Sequence, residues 1–339
     1  MSETGTLDRQ MKAAARALDS ATDVALACHV NPDADAIGSM LGLASYLDAR
    51  GKRVVCSWGN EPFARPRWMS VLDGAGYVVE PKRFPEAPKL LVSLDTAAPD
   101  RLGSLAQNAE RASEVIVIDH HRTNPGFGTI VILDPKASST AELVYRVVER
   151  MGGPLPDDAA ACLYAGLITD TGRFMYEATT PETLRVAAEL RRYGFDHARL
   201  GQALYEDGSI GYLKVAGRAL DRLEHIPGAE LVWTYVLQTD LAPFGISMGD
   251  TDDLIDLVRM AREADVACVL KQQRDGHFKV SLRSRGGTDV GAISQAFGGG
   301  GHRLAAGYTS RAGVEDTVRS LAASLVSARE GGGERDGDG

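Results

Sequence analysis

Four short runs of almost unbroken apolar residues dominate the first part of the chain: "DVALAC" (23–28), "RVVCSW" (53–58), "KLLVSL" (89–94) and "EVIVID" (114–119). A strand that is apolar at consecutive positions needs cover on both faces, which a sheet with one wet face cannot give it. Helical patterns at 36–50 and 99–111 fall between the runs. This alternation predicts an α/β fold built on a parallel, doubly wound sheet. A further helix is expected over "SSTAELVYRVVERMG", opened by a capping box of Ser139 and Glu142 and closed at Gly152-Gly153, and another over 157–168. From about 181 to 223 the pattern is helical and polar, with breaks at Gly194 and Gly208. Strand-like runs then resume at 230–237, 265–272 and 278–284, followed by a helix over 313–328.

At 339 residues the chain suits two cores of ordinary size. The expected division is a first domain over 1–195, a helical connector over 196–224, a smaller α/β domain over 225–328, and a disordered tail over 329–339 that has no apolar content to bury. A net charge of -9 argues against a partner held through long nucleic acid, because that binding needs a basic stripe. Cys28, Cys56, Cys162 and Cys268 stand in apolar contexts without C-x-x-C spacing, which excludes a disulfide framework or zinc ribbon as the expectation. The polar N-terminus and the absence of any run of membrane-span length predict a cytoplasmic protein without a membrane partner.

Acids cluster where the apolar runs end. Asp33 and Asp35 follow the first run, Asp95 the third, and Asp119-His120-His121 the fourth; Asp170 ends the apolar helix "AACLYAGLIT". Ligands of open α/β sheets bind beyond the carboxyl ends of the strands, so these segments converge on one rim. Carboxylates gathered there repel unless cations neutralise them. Carboxylate oxygen with imidazole nitrogen and no thiolate suits Mn²⁺ first and Mg²⁺ second. Six candidate ligands (His29, Asp33, Asp35, Asp95, His120 and Asp170) exceed the needs of one ion and suit two, about 4 Å apart and bridged by a shared carboxylate. Helix capping is the competing role for Asp35 and a turn for Asp95, while His197, His225 and His277 are expected to be structural.

In "FGGGGHRLAAG" the backbone of Gly298, Gly299, Gly300 and Gly301 is expected to approach an anion closely, with His302 adding a donor. Arg283 and Ser284, in "SLRSR", are expected at the same pocket; Arg262 and Arg259 rank below them. The run lacks the Lys-Ser/Thr ending of a triphosphate-binding loop.

Together "HVNPDADAIGS" (29–39), "LD" (94–95), "IDHH" (118–121) and "ITDTGRFMY" (168–176) resemble, in order, the four motifs of the DHH phosphoesterase family. "KVSLRSRGGTDVGAISQAFGGGGHRLAAG" (279–307) resembles the glycine-rich signature of the DHH-associated second domain. Within the family the chain looks most like the nano-RNase group, whose members degrade short oligoribonucleotides and dephosphorylate 3'-phosphoadenosine 5'-phosphate. The resemblance implies one ion held by His29, Asp33 and Asp95, and a second by Asp35, Asp95, His120 and Asp170. It places Asp119 behind a neighbouring histidine and His121 at the substrate phosphate as a donor. The implied reaction is metal-assisted phosphoester hydrolysis by water, without a covalent enzyme intermediate. Substrates of two to five nucleotides, nucleotide bisphosphates, linear dinucleotides and cyclic di-AMP fit this expectation, and a homodimer is the expected assembly. An inorganic pyrophosphatase or polyphosphatase, a RecJ-like exonuclease and a non-catalytic nucleotide sensor are the rival readings.

Overall fold

The computed structural model describes residues 3–332, apart from the side chains of Glu3, Thr4 and His302. The chain divides into two compact units, Met1–Asp207 and Gly208–Gly339. The first contains α1 (Glu3–Ser20), β1 (Asp23–Cys28), α2 (Ala34–Asp48), β2 (Arg53–Trp58), β3 (Leu90–Leu94), α3 (Ala106–Arg111), β4 (Glu114–Asp119), β5 (Ile130–Leu133), α4 (Thr140–Met151), α5 (Asp157–Asp170), α6 (Pro181–Leu190) and α7 (His197–Tyr205).

Its five strands are all parallel, in the order β2-β1-β3-β4-β5. One face carries the main core, where Leu26, Val92 and Ile116 pack under α1, α2, α4 and α5. The other is closed by Phe84, Leu102 and Leu105 over Ala25, Leu91 and Val117. Burial on both faces is the physical reason for the continuous apolar runs. The strand order reverses between β1 and β3, which makes the carboxyl ends of those two strands the natural crevice.

The expected helix over 99–111 is two pieces: a 3-10 turn at Pro99–Leu102 and α3, separated by Gly103. Gly103 has φ +58°, and a Cβ there would lie 2.4 Å from Val30 Cγ1, so packing forces the break. β5 was not among the expected strands. The capping box at α4 is half formed: Ser139 accepts the Glu142 N–H at 3.1 Å, while the Glu142 carboxylate turns to Ser138 and Thr183.

The second unit contains α8 (Ile210–Asp221), β6 (Glu224–Ile226), β7 (Leu231–Val236), α9 (Gln238–Leu241), α10 (Leu254–Val258), β8 (Val266–Gln272), β9 (Phe278–Ser284), α11 (Val290–Ala296), β10 (Gly300–His302), β11 (Ala305–Ser310) and α12 (Val314–Gly332). Its mixed sheet runs β10-β11-β9-β8-β7-β6, with β7 and β8 parallel and the other pairs antiparallel. α11 and α12 pack on one face, α8 and α10 on the other. The expected connector is thus shared out, α7 belonging to the first unit and α8 to the second. Residues 329–332 of the expected tail continue α12, and 333–339 lie outside the described residues. Among the described residues no helix is long and apolar enough to cross a membrane.

Candidate metal centre

β1 ends at Cys28, so His29 is the first residue beyond the strand, and its imidazole is nearly buried. Its Nδ1 donates to the Val30 carbonyl at 2.8 Å, which turns Nε2 toward Asp95 Oδ2 at 3.4 Å and Asp33 Oδ2 at 3.9 Å. Asp33 has two roles. Its Oδ1 caps α2 by accepting the N–H groups of Asp35 and Ala36, which leaves Oδ2 on the His29 side. Capping therefore falls to Asp33. Asp35 sits inside the first turn, fully buried, and its carboxylate accepts the N–H groups of Thr140 at 2.6 Å and Ala141 at 2.9 Å. Those donors are the positive N-terminus of α4, a favourable seat for a carboxylate.

Asp95 follows β3 with φ +53°, a left-handed conformation that a non-glycine residue holds only where its surroundings enforce it. Its N–H donates to Ile118 O at 3.0 Å, and Thr140 Oγ1 donates to its Oδ1 at 2.9 Å. The two carboxylate oxygens face opposite ways: Oδ2 toward His29, and Oδ1 toward His120 Nε2 at 3.7 Å. His120 Nε2 is also 3.1 Å from Asp170 Oδ2. Beyond it, His121 Nδ1 donates to Asp119 Oδ1 at 2.6 Å, and Asn124 Nδ2 donates to Asp119 Oδ2 at 2.6 Å.

Ligand atoms come within 4.8 Å of one another in three groups: His29-Asp33-Asp95, Asp35-His120-Asp170, and Asp95-His120-His121. All six residues expected as ligands are in the first two, and Asp95 also joins His120 and His121 in the third. This donor set fits divalent cations: each of the first two groups pairs one imidazole nitrogen with two hard carboxylate oxygens. The charges tell the same story. Burial would lower the His29 pKa, but the Asp95 hydrogen bond and the charges of Asp33 and Asp95 raise it to about 9. Burial and the charges of Asp95 and Asp170 push Asp35 well above the usual carboxylate range. These shifts reflect carboxylates and imidazoles crowded together with little solvent between them. Asp33 is 59% exposed while Asp95 is 3% exposed, so solvent reaches the centre from the Asp33 side.

Sequence reasoning missed Thr140 and Ala141, which hold Asp35 and Asp95 from behind, Asn124, which holds Asp119, and Gly166. A Cβ at Gly166 would lie 2.6 Å from Asp35 Oδ1, so glycine there lets α5 pass close enough to bring Asp170 to the site.

In the second unit, the sheet register sets position 302, Ala305, Arg283 and Ala267 in one row across β10, β11, β9 and β8. The His302 side chain lies outside the described residues. Lys271 and Lys279 are register partners whose side chains point to the same sheet face as Arg283, and neither was foreseen. Other expectations here change. Ser284 is fully buried, and its hydroxyl accepts the N–H groups of Gly286 and Thr288, which ties it to a turn. The Gly298 and Gly299 N–H groups donate to Gln295 O and Ser294 O at the end of α11, and Gly300 and Gly301 pair with β11, so the run is a helix-ending turn followed by an edge strand where an open anion nest was expected. Arg262 is 89% exposed and lies against Glu263, as a solvated charge does.

Comparison with known proteins shows the family. Residues 23–167 match the "DHH family, N-terminal domain" and residues 214–328 the "DHHA1 domain". A bifunctional oligoribonuclease and PAP phosphatase, NrnA, from Thermus thermophilus is 36% identical over 84% of this chain and 83% of its own. The Bacillus subtilis protein of the same description is 29% identical, covering 82% and 86%. A cyclic-di-AMP phosphodiesterase, GdpP, from Geobacillus thermodenitrificans is 28% identical over 90% of this chain but 47% of its own. Among solved structures, an exopolyphosphatase-related protein from Bacteroides fragilis superposes with a TM-score of 0.87 at 26% identity, over 94% of this chain and 96% of that one.

Proposed function

This chain belongs to the DHH family of phosphoesterases, with a DHHA1 second domain, and from that premise we propose that it is a manganese-dependent hydrolase of short oligoribonucleotides and of 3'-phosphoadenosine 5'-phosphate. The observation that carries the reading is Asp95, which offers one oxygen to each of two ligand groups. His29, Asp33 and Asp95 would hold one ion, and Asp35, Asp95, His120 and Asp170 the second. Bound there, divalent cations would acidify a water and neutralise charge on the phosphoryl oxygens. The chain's own groups do the rest. Asp119 and Asn124 fix the His121 ring through Nδ1, so that Nε2 delivers a proton to the departing oxygen as water displaces it at phosphorus. Thr140 and the α4 N-terminus keep Asp35 and Asp95 in place throughout.

In the second unit we assign recognition of a substrate phosphate to Arg283, whose planar guanidinium grips two oxygens at once. Lys271 and Lys279 share its sheet face, where both lie against the Asp252 carboxylate. Linear dinucleotides and cyclic di-AMP are substrates of the same chemical class. The test is a panel of 5'-labelled dinucleotides, 3'-phosphoadenosine 5'-phosphate, cyclic di-AMP and pyrophosphate, each with Mn²⁺, with Mg²⁺ and with a chelator. Release of mononucleotides and phosphate in Mn²⁺ alone or above all is expected. Hydrolysis of pyrophosphate but no nucleotide would establish the rival enzyme, and tight binding without turnover a sensor.

A further inference from the structure

We propose that Asn60 is a positioning residue of the metal centre, acting on His29 through a single peptide group. The inference rests on the reading of His29 as a metal ligand. Between His29 and Asp33 the chain passes through Asn31, which has φ +54°. The peptide joining Val30 to Asn31 is held at both ends. Its carbonyl accepts His29 Nδ1 at 2.8 Å, and its N–H donates to Asn60 Oδ1 at 2.7 Å. The Asn60 amide also donates from Nδ2 to Asn31 Oδ1 at 2.7 Å, so Asn60 holds both the backbone and the side chain of Asn31.

A peptide group is planar, so fixing the direction of its N–H fixes the direction of its C=O. Asn60 therefore sets the orientation of the carbonyl that takes the His29 Nδ1 proton. That carbonyl in turn decides which imidazole nitrogen is left to ligate, namely Nε2, on the side of Asp33 and Asp95. Asn60 is itself anchored. The neighbouring Gly59 carbonyl accepts the Ser104 N–H at 3.2 Å, and a Cβ on Gly59 would lie 2.1 Å from Leu102 O, so the backbone there has one seat. From the other side, the Val30 N–H donates to Arg101 O at 2.8 Å. The His29 loop is thus gripped by the segment after β2 and the segment after β3. The side-chain hydrogen bonds of Asn60 go to Asn31, which is not an expected ligand, so its effect passes through the loop.

The test measures Mn²⁺ affinity, from the paramagnetic resonance of free Mn²⁺, beside the melting temperature of metal-free protein, for full-length Asn60→Ala, Asn60→Asp and Asn31→Gly. Loss of a partner behind a ligating histidine costs about 10- to 100-fold in affinity, and the lower figure is expected for Asn60→Ala because the pair is partly solvated. Its metal-free melting temperature should stay within a few degrees. Asn60→Asp keeps an oxygen for the Asn31 N–H and should bind Mn²⁺ more tightly than Asn60→Ala, by up to about tenfold. Asn31→Gly retains both the N–H and access to positive φ, so it should bind within about threefold of the unaltered protein. Native affinity in Asn60→Ala, or an equal loss in all three variants, would overturn the proposal. No Mn²⁺ binding by the unaltered protein would overturn the metal-centre reading itself, which separates the two failures.

Discussion

Replacing Gly166 by alanine should damage the centre although it adds only one methyl group and improves helix propensity. In the middle of a helix, Gly→Ala normally stabilises by roughly 0.5–1 kcal/mol. At Gly201 in α7 the added Cβ meets nothing within 4 Å, so Gly201→Ala should show that gain unopposed. At Gly166 the Cβ would stand 2.6 Å from Asp35 Oδ1, 2.9 Å from Ala141 Cβ and 3.1 Å from Asp35 Cα. Relief to an ordinary contact needs a displacement of about 0.8 Å, and Asp35 cannot supply it without giving up the N–H groups of Thr140 and Ala141. α5 must therefore retreat, and Asp170, one turn beyond Gly166, retreats with it. Misplacement of a catalytic group by about 1 Å costs on the order of 100-fold in rate, and a comparable loss is expected in the affinity of the Asp35-His120-Asp170 position. Overpacking of this kind destabilises by about 1–3 kcal/mol, which more than cancels the propensity gain. Dinucleotide hydrolysis, Mn²⁺ titration and thermal denaturation of the two variants side by side check the argument. If Gly166→Ala gained stability and kept its activity as Gly201→Ala does, the close approach of α5 to Asp35 would have no role in building the site.

Asp95→Ala should remove Mn²⁺ binding at both positions and nearly all activity, whereas Asp33→Ala should leave the second position measurable by titration; equal stoichiometry in the two would refute the bridge. Arg283→Ala should raise KM for dinucleotides by about tenfold or more with a small change in kcat, read from steady-state kinetics, consistent with loss of a charge-assisted pair. In the second unit, Asp240 accepts from Arg222 at 2.6 and 2.7 Å, and that hydrogen bond lowers its pKa below the ordinary 3.8. Such a depressed carboxylate contributes stability above its unfolded pKa and loses it as pH falls through the folded one. The melting-temperature deficit of Asp240→Asn, about 2 kcal/mol in stability terms, should therefore be constant from neutral pH down to about 5 and shrink below about 4.

What the sequence disclosed, it disclosed through two strong local signals. Strands buried on both faces must be apolar at every position, and β1 to β4 are bounded within a residue of the runs that predict them. β5 is four residues long and follows a glycine-bearing loop, so it offered too little length to separate from its surroundings. β10 and β11 were hidden because their glycines read as loop. Those glycines answer to packing instead: a Cβ at Gly299 would lie 2.2 Å from Gly307 O, and one at Gly307 2.6 Å from Val280 O. The second signal was acid and histidine beyond strand ends, which pointed to His29, Asp33, Asp35, Asp95 and His120, with Asp170 added from the end of an apolar helix.

The groups that support those ligands carry no such signal, because their work depends on contacts between distant segments. Asp35 and Thr140 are 105 residues apart, and nothing local marks a backbone N–H as the partner of a carboxylate in another helix. The capping pattern at Ser139 located the end of α4 but not its second use. Helix N-termini with donors left over suit anions, and here the anion is a ligand of the centre. One element thus ends a helix, seats Asp35 through two N–H groups, and fixes the bridging Asp95 through the Thr140 hydroxyl. The centre is assembled beside the strand-order reversal between β1 and β3, where His29 from the end of β1, Asp95 from the end of β3 and His120 from the end of β4 meet, with Asp35 and Asp95 held by the α4 N-terminus. The fold supplies the convergence; the residue types supply the oxygen and nitrogen donors that the proposed cations would need.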